Sequence, residues 1–190
     1  MWTTVLWNHP LILLQWSAVI GAALAGAAWD VATRRIPNAL TLAILVLGLL
    51  ASTWCCGTDG FIDALLGSLI LGVPFVVLFV IAGGGAGDAK LMAALGAWLG
   101  VTNSLLLLVC VTSAGAVLGL FYALFKNRLR PVFENLKAIV FSMMAFITSR
   151  GRLRFPLPQP ATHEMLTVPY GVSILVGVCL AAGGRILWPA

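Results

Sequence analysis

Long uncharged apolar stretches, separated by short polar segments, run the length of the chain. Each stretch predicts a membrane-spanning helix, because about 20 helical residues cross the ~30 Å hydrocarbon core of a bilayer. The predicted spans cover residues 11–29, 38–54 and 64–87, two spans between Lys90 and Lys126, and a last span between Glu164 and Arg185. The pattern predicts an all-α polytopic membrane protein of about six transmembrane helices, in a single domain covering residues 1–190.

The fourth and fifth spans are separated on grounds of length. Lys90 and Lys126 bracket 35 uncharged residues, and one helix of that length would measure about 50 Å. A single crossing is far shorter, so we expect a break within Gly-Val-Thr-Asn-Ser at residues 100–104. The last span is expected to begin near Pro169-Tyr170-Gly171.

Composition supports a membrane protein and excludes several other classes. The chain is 61% hydrophobic and 9% charged, with a mean hydropathy of +1.06, whereas a soluble domain carries about 25% charged residues. Soluble enzymes, disordered chains and disulfide scaffolds are therefore excluded. The four cysteines form no C-x-x-C pair and the chain has two histidines, so we expect no metal site and no cofactor. No pattern indicates nucleic-acid binding.

The basic residues predict the orientation. With six spans, the loops at residues 30–37, 83–90 and 126–164 lie on one side and hold ten of the eleven Lys and Arg residues. The positive-inside rule places these loops in the cytoplasm and both termini outside. Within the third loop, apolar residues recur at helical spacing over 132–149, which predicts an interfacial amphipathic helix. A short re-entrant element is the alternative.

Two aspartates on the predicted cytoplasmic side are the candidate catalytic residues. Asp30 ends the first span, and Asp88 lies between the third and fourth. From Asp88 to the expected break is about 18 Å of helix, less than the ~30 Å core. Unless the fourth span extends beyond that break, Asp88 lies within the membrane thickness. A carboxyl at that depth marks function by default. The structural alternative is a flexible turn with a helix-capping aspartate.

A glycine-rich run precedes Asp88. Gly83-Gly84-Gly85-Ala86-Gly87 has almost no side chains, so an extended peptide can approach its backbone closely. Gly85 and Gly87 are therefore candidate substrate-binding residues. The run lacks the Gly-Lys-Ser/Thr end of a phosphate-binding loop, and Asp88 stands where a dinucleotide fingerprint needs a glycine.

Two neighbouring carboxyls can share one proton, because like charges that close resist ionising together. The ionised carboxyl then activates a water molecule, and the protonated one polarises a scissile carbonyl, as in aspartic proteases. The titration belongs to the pair, so neither role is assigned to one residue.

These residues carry a resemblance to a known family. Gly85-Ala86-Gly87-Asp88-Ala89-Lys90-Leu91 resembles the G-x-G-D-x-K-L signature of type IV prepilin peptidases. Trp29-Asp30-Val31-Ala32-Thr33-Arg34-Arg35-Ile36-Pro37-Asn38 resembles their first motif, an Asp followed by R-x-I-P-N, and Val168-Pro169-Tyr170-Gly171 resembles the segment that opens their last span. The resemblance covers nearly the whole chain in order and spacing.

The resemblance implies a membrane aspartyl endopeptidase of the bacterial inner membrane with Asp30 and Asp88 as its catalytic pair. Such enzymes cut a short basic leader from prepilins at the cytoplasmic face, typically after glycine and before a hydrophobic helix. Larger members also N-methylate the new terminus and carry paired C-x-x-C motifs, which this sequence lacks. The compact form is most similar to peptidases of Flp/Tad-type pili, with pseudopilin or flagellin-like substrates as alternatives.

Two other functions stay open at this point. A small transporter or proton-relay subunit could use the same two aspartates as intramembrane ionisable sites, but the spans are nearly bare of other polar groups. A non-catalytic subunit of a pilus or secretion machine would leave both aspartate motifs without a chemical purpose. The expected partners are a prepilin or pseudopilin substrate and the lipid bilayer.

Overall fold

The computed structural model describes residues 9–33, 36–82, 85–125 and 170–187. Within these residues the chain is all-α. The helices are α1 His9–Thr33, α2 Asn38–Ala82, α3 Ala86–Phe125 and α4 Tyr170–Leu187. The amphipathic helix expected at 132–149 lies outside the described residues.

Helix boundaries follow local chemistry. Helix α2 begins at Asn38, where sequence reasoning placed a span, and the Pro37 carbonyl accepts its first hydrogen bonds, from the Leu40 and Thr41 amides at 3.1 and 3.3 Å. Helix α4 begins at Tyr170 as expected. The predicted third span, residues 64–87, differs at its end: α2 is described to Ala82, and residues 86 and 87 belong to α3.

Two glycines break α2 and α3. Gly57 has φ 61° and ψ −140°, and Gly100 has φ 64° and ψ −172°, a backbone region that is essentially restricted to glycine. The break in α3 falls within the segment where the sequence predicts one. The break in α2 is shorter than the sequence predicts. Residues 55–63 were expected to connect two spans, but all of them except Gly57 are helical.

The chain reverses direction at Gly57. A Cβ atom built on Gly60 would lie 2.9 Å from the Ser52 carbonyl carbon, although eight residues of straight helix would separate the two by about 12 Å. The part of α2 before Gly57 and the part after it therefore pack side by side, and we call them its first and second arms.

Helix α3 reverses in the same way at Gly100. Its first arm runs antiparallel to α1, since Gly26 packs against Leu91 at one end and Gln15 bonds to the Trp98 carbonyl at the other. Its second arm runs antiparallel to α4, as two contacts show: the Arg185 Nε donates to Asn103 Oδ1 at 3.0 Å, and the Tyr170 hydroxyl approaches Gly115.

The described helical segments thus alternate in direction along the chain and form one bundle. One end of this bundle holds Asp30, Asn38, Asp88 and Tyr170, and we call it the aspartate end. The opposite end holds the reversals at Gly57 and Gly100, and we call it the hairpin end.

The break at Gly100 leaves backbone groups of α3 without helical partners. Side chains from α1 and from both arms of α2 complete their hydrogen bonds: Gln15 donates to the Trp98 carbonyl, Ser52 donates to the Ala97 carbonyl at 3.3 Å, and Asp63 accepts from the Val101 amide at 3.1 Å. Non-helical backbone at membrane depth is tolerated only where it is satisfied in this way. Asp63 thereby caps the second arm of α3.

The bundle buries an apolar core and exposes an apolar surface. Trp16, Leu71, Leu95, Leu107 and Ile174 are almost fully buried, while large apolar side chains of all four helices face outward. Residues Ile12–Thr33, Asn38–Val80 and Ala86–Tyr122 are long and apolar enough to cross a bilayer, and Tyr170–Arg185 is a shorter apolar helix. The chain is an all-α integral membrane protein.

Candidate active site

Asp30 lies in the last turns of α1 and is held from α4. The Gly171 amide donates a hydrogen bond of 3.0 Å to Asp30 Oδ2. The carboxyl is half-buried, so one of its oxygens is fixed by the protein while the side chain still lines a cleft.

Asp88 lies in the first turn of α3. Its amide donates to the Gly85 carbonyl at 3.2 Å, which begins the helix immediately after the glycine run. The Asp88 side chain is half-buried at the same end of the bundle as Asp30. The two carboxyls are close enough for their charges to interact.

Both carboxyls line one cleft of about 610 Å³ at the aspartate end. The end of α1, the link into α2 and the start of α3 form its walls. Its lining residues are Trp29, Asp30, Thr33, Ile36, Pro37, Asn38, Gly85, Ala86, Gly87, Asp88 and Lys90. The structure therefore brings together every candidate site residue that the sequence indicates.

The two candidate glycines have different surroundings. Gly85 is exposed and lies against Asp88, in the first turn of α3: a Cβ at position 85 would be 2.6 Å from Asp88 Oδ2. Gly87 packs against Ile36, whose Cβ lies 3.1 Å from the place a Gly87 Cβ would occupy. Gly87 thus lets the start of α3 approach the link between α1 and α2, which sequence reasoning did not anticipate.

Lys90 is hydrogen-bonded at the cleft edge. Its Nζ donates to Asn38 Oδ1 at 2.8 Å and so connects the start of α3 to the start of α2. The described contact of Lys90 is thus with a side-chain amide across the cleft edge.

The first turn of α4 completes the site, and sequence reasoning did not assign it a role. The Tyr170 ring packs edge-on against Phe75 of α2, with ring centroids 6.4 Å apart and an interplanar angle of 81°. Tyr170 also lies within electrostatic range of Asp88. In the sequence, only the motif Val168-Pro169-Tyr170-Gly171 indicated this segment. Its contact with Asp30 joins two residues that lie 141 positions apart in the sequence.

Among the described residues, no group of three or more His, Cys, Asp or Glu side chains could hold a metal ion. Asp59 and Asp63 lie at the hairpin end, away from the pair. Two carboxyls that face one cleft and sense each other's charge can share a proton, and such a pair can activate water against a carbonyl.

The fold and this pair of carboxyls define a helical membrane protein with a candidate hydrolytic site. Residues 17–124, more than half of the chain and including both aspartates, match the sequence profile described as the type IV leader peptidase family. The chain belongs to the type IV leader peptidase family.

Individual relatives agree with this assignment. The "Prepilin leader peptidase/N-methyltransferase" proteins of Burkholderia pseudomallei strains 1026b and K96243 are each 38% identical over 117 residues, covering 57% of this chain and 37% of theirs. The protein of that name from Dickeya chrysanthemi is 35% identical over 122 residues, covering 60% of this chain and 43% of its own. The matched region thus spans less than half the length of these relatives. No solved structure matches the chain at a significant level.

Proposed function

We propose that this chain is a membrane aspartyl endopeptidase that removes the leader peptide from prepilin or pseudopilin precursors. The observation that carries the proposal is the placement of Asp30 and Asp88, from separate helices, in one cleft. Family membership and relatives named as prepilin leader peptidases support the same activity.

Hydrolysis follows from a pair that shares one proton. The ionised carboxylate takes a proton from a water molecule as the water oxygen attacks the scissile carbonyl carbon, and the protonated carboxyl donates a hydrogen bond to the carbonyl oxygen. Collapse of the tetrahedral intermediate breaks the C–N bond, and the leaving nitrogen takes a proton from the pair. The products are the leader and a new amino terminus.

We place the cleft at the cytoplasmic face of the bacterial inner membrane. Six membrane spans, namely α1, the two arms of α2, the two arms of α3, and α4, would put the loops of the aspartate end on one side. Those loops carry ten of the eleven Lys and Arg residues, as expected of cytoplasmic loops. Both termini then lie outside the cytoplasm.

The size of the cleft favours an extended substrate segment. One turn of helix with its side chains is about 10 Å wide and 5.4 Å high, so a volume of about 610 Å³ holds less than two turns. A regular helix also keeps its carbonyls in its own hydrogen bonds. We propose that the cleavage segment is extended beside Gly85 and Gly87, where side chains do not block the backbone.

The transporter or proton-relay alternative gains no support from the family or from the relatives. Both functions would need the aspartates, so mutation of the aspartates alone does not separate them. Release of a peptide with a defined new amino terminus is specific to the peptidase.

The test uses the purified chain and a synthetic precursor with a short basic leader, a glycine, and an apolar helix of about 20 residues. Sequencing of the product should give one new amino terminus at the start of the apolar helix. Asp30→Asn and Asp88→Asn should each abolish cleavage, whereas Asp59→Asn, at the hairpin end, should cleave normally. Normal cleavage by either of the first two variants contradicts the proposal.

A further inference from the structure

Helix α4 lies outside residues 17–124, which match the family, yet its first turn contacts Asp30 of the candidate catalytic pair. We infer that this turn is a positioning element of the active site, in which the Gly171 amide holds the Asp30 carboxyl in its working orientation. The inference rests on the proposed function. Gly171 belongs neither to the glycine run before Asp88 nor to the two aspartate motifs, so these motifs do not indicate its role.

The Gly171 amide is available for this role because of its place in the helix. Gly171 is the second residue of α4, and the first four amides of a helix have no acceptor within the helix. The acceptor of the Gly171 amide is Asp30 Oδ2, at 3.0 Å. One oxygen of the carboxyl is thereby fixed, while the side chain still lines the cleft.

Position 171 leaves little room for a side chain. A Cβ at Gly171 would lie 3.0 Å from both Cβ and Oδ2 of Asp30, and 3.1 Å from the Cα of Ala27. One of these neighbours is backbone, so it cannot turn aside. With a Cβ at residue 171, Asp30 or the helix backbone would have to shift by a few tenths of an ångström, which disturbs the bond between the amide and the carboxyl.

The start of α4 is itself clamped by Tyr170. The ring of Tyr170 packs edge-on against Phe75 of α2, and its hydroxyl lies 3.2 Å from the place a Cβ would occupy on Gly115 of α3. Tyr170 therefore contacts two other helices while the next residue holds Asp30. The first turn of α4 is fixed relative to the elements that carry Asp88.

This arrangement predicts a specific kinetic effect. The Gly171 amide touches a catalytic carboxyl, so loss of the amide should lower kcat and leave KM unchanged. A hydrogen bond to a charged group corresponds to at least about a tenfold change in rate. A merely structural contact would instead lower the amount of folded protein and leave kcat of the folded fraction intact.

The decisive experiment replaces glycine 171 with glycolic acid by nonsense suppression, which changes the amide to an ester and adds no side chain. The full-length protein is assayed with the synthetic precursor, and its unfolding in detergent is followed in parallel. We expect kcat to fall about tenfold or more with unchanged KM and unchanged unfolding. The same ester at position 183, which lies late in α4 and interrupts a bond within the helix, should leave kcat unchanged.

A second pair of variants tests the space at this position. Gly171→Ala should lower kcat at least tenfold, whereas Gly183→Ala, where nothing lies within 4 Å of an added Cβ, should not. Kinetics within twofold of wild type in both the 171 ester and Gly171→Ala would overturn the inference while leaving the peptidase proposal standing. A wild-type protein that cleaves no precursor would overturn the proposed function itself.

Discussion

Replacing Gly100 with alanine tests how the break in α3 is maintained. With φ 64° and ψ −172°, the backbone is in a region that costs a residue other than glycine about 1–3 kcal/mol. The added Cβ would also meet the carboxyl of Asp63, which accepts from the Val101 amide. Loss of a cap of this kind costs about 0.5–2 kcal/mol. Gly100→Ala should therefore lower the free energy of unfolding by about 3 kcal/mol.

Gly57 provides a matched control. Its φ is 61° and nothing lies within 4 Å of an added Cβ, so Gly57→Ala should cost about 2 kcal/mol from the backbone alone. Equilibrium unfolding of the purified protein in mixed detergent micelles measures both values. In an Asp63→Ala background, Gly100→Ala should cost no more than Gly57→Ala does. The capping role is refuted if Gly57→Ala and Gly100→Ala are equally destabilising, or if the Asp63→Ala background changes nothing.

Two further predictions concern packing at the breaks and between helices. Gln15→Leu should destabilise the protein by about 1–3 kcal/mol, because Gln15 is buried and the part-buried Trp98 carbonyl would lose this donor. Ser17→Ala, on the exposed face of the same helix, should change stability by less than about 0.5 kcal/mol. Gly67→Ala should lower the yield of folded protein, because the added Cβ would lie 2.5–2.8 Å from backbone atoms of α3. Gly21→Ala should leave the yield unchanged, because nothing lies within 4 Å of a Cβ at that position. Equal stability or yield for a variant and its control would refute the corresponding contact.

Charge-free apolar stretches and their lengths were sufficient to predict much of this fold. The absence of charge over 35 residues forced a break near Gly100, because no single helix of that length fits a bilayer. The start of α2 at Asn38 agrees with the predicted span 38–54, and the start of α4 at Tyr170 agrees with the segment where the last span was expected to begin. These features depend on short sequence motifs or on the thickness of the bilayer core, so the sequence alone is enough to predict them.

The features that were missed depend on contacts between distant residues. Nothing near Asp63 in sequence indicates that it accepts from Val101, 38 residues away. The link from Gly171 to Asp30 crosses 141 residues. Likewise, a connection of several residues, 55–63, was expected between the second and third spans, but the chain reverses at Gly57 with one non-helical residue. Packing between the two arms of α2 stabilises this short reversal.

The grouping of the candidate site residues was easier to predict than their individual roles. Asp30 and Asp88 were expected on one side because of the alternation of spans, and the structure places both in one cleft. The packing of Gly87 on Ile36 and the bond of Lys90 to Asn38 could not be anticipated, because each depends on how the start of α3 meets the link into α2.

The central claim, that Asp30 and Asp88 act as one catalytic unit, is tested most directly by non-additivity. The cleavage rate of the synthetic precursor is measured for Asp30→Asn, Asp88→Asn and the double variant, each confirmed to be folded. Residues that act as a unit lose nearly all of their contribution when either one is removed. We predict that the three variants share one residual cleavage rate. Cleavage at the wild-type rate by either single variant would contradict the claim. So would two partial losses of rate that multiply in the double variant.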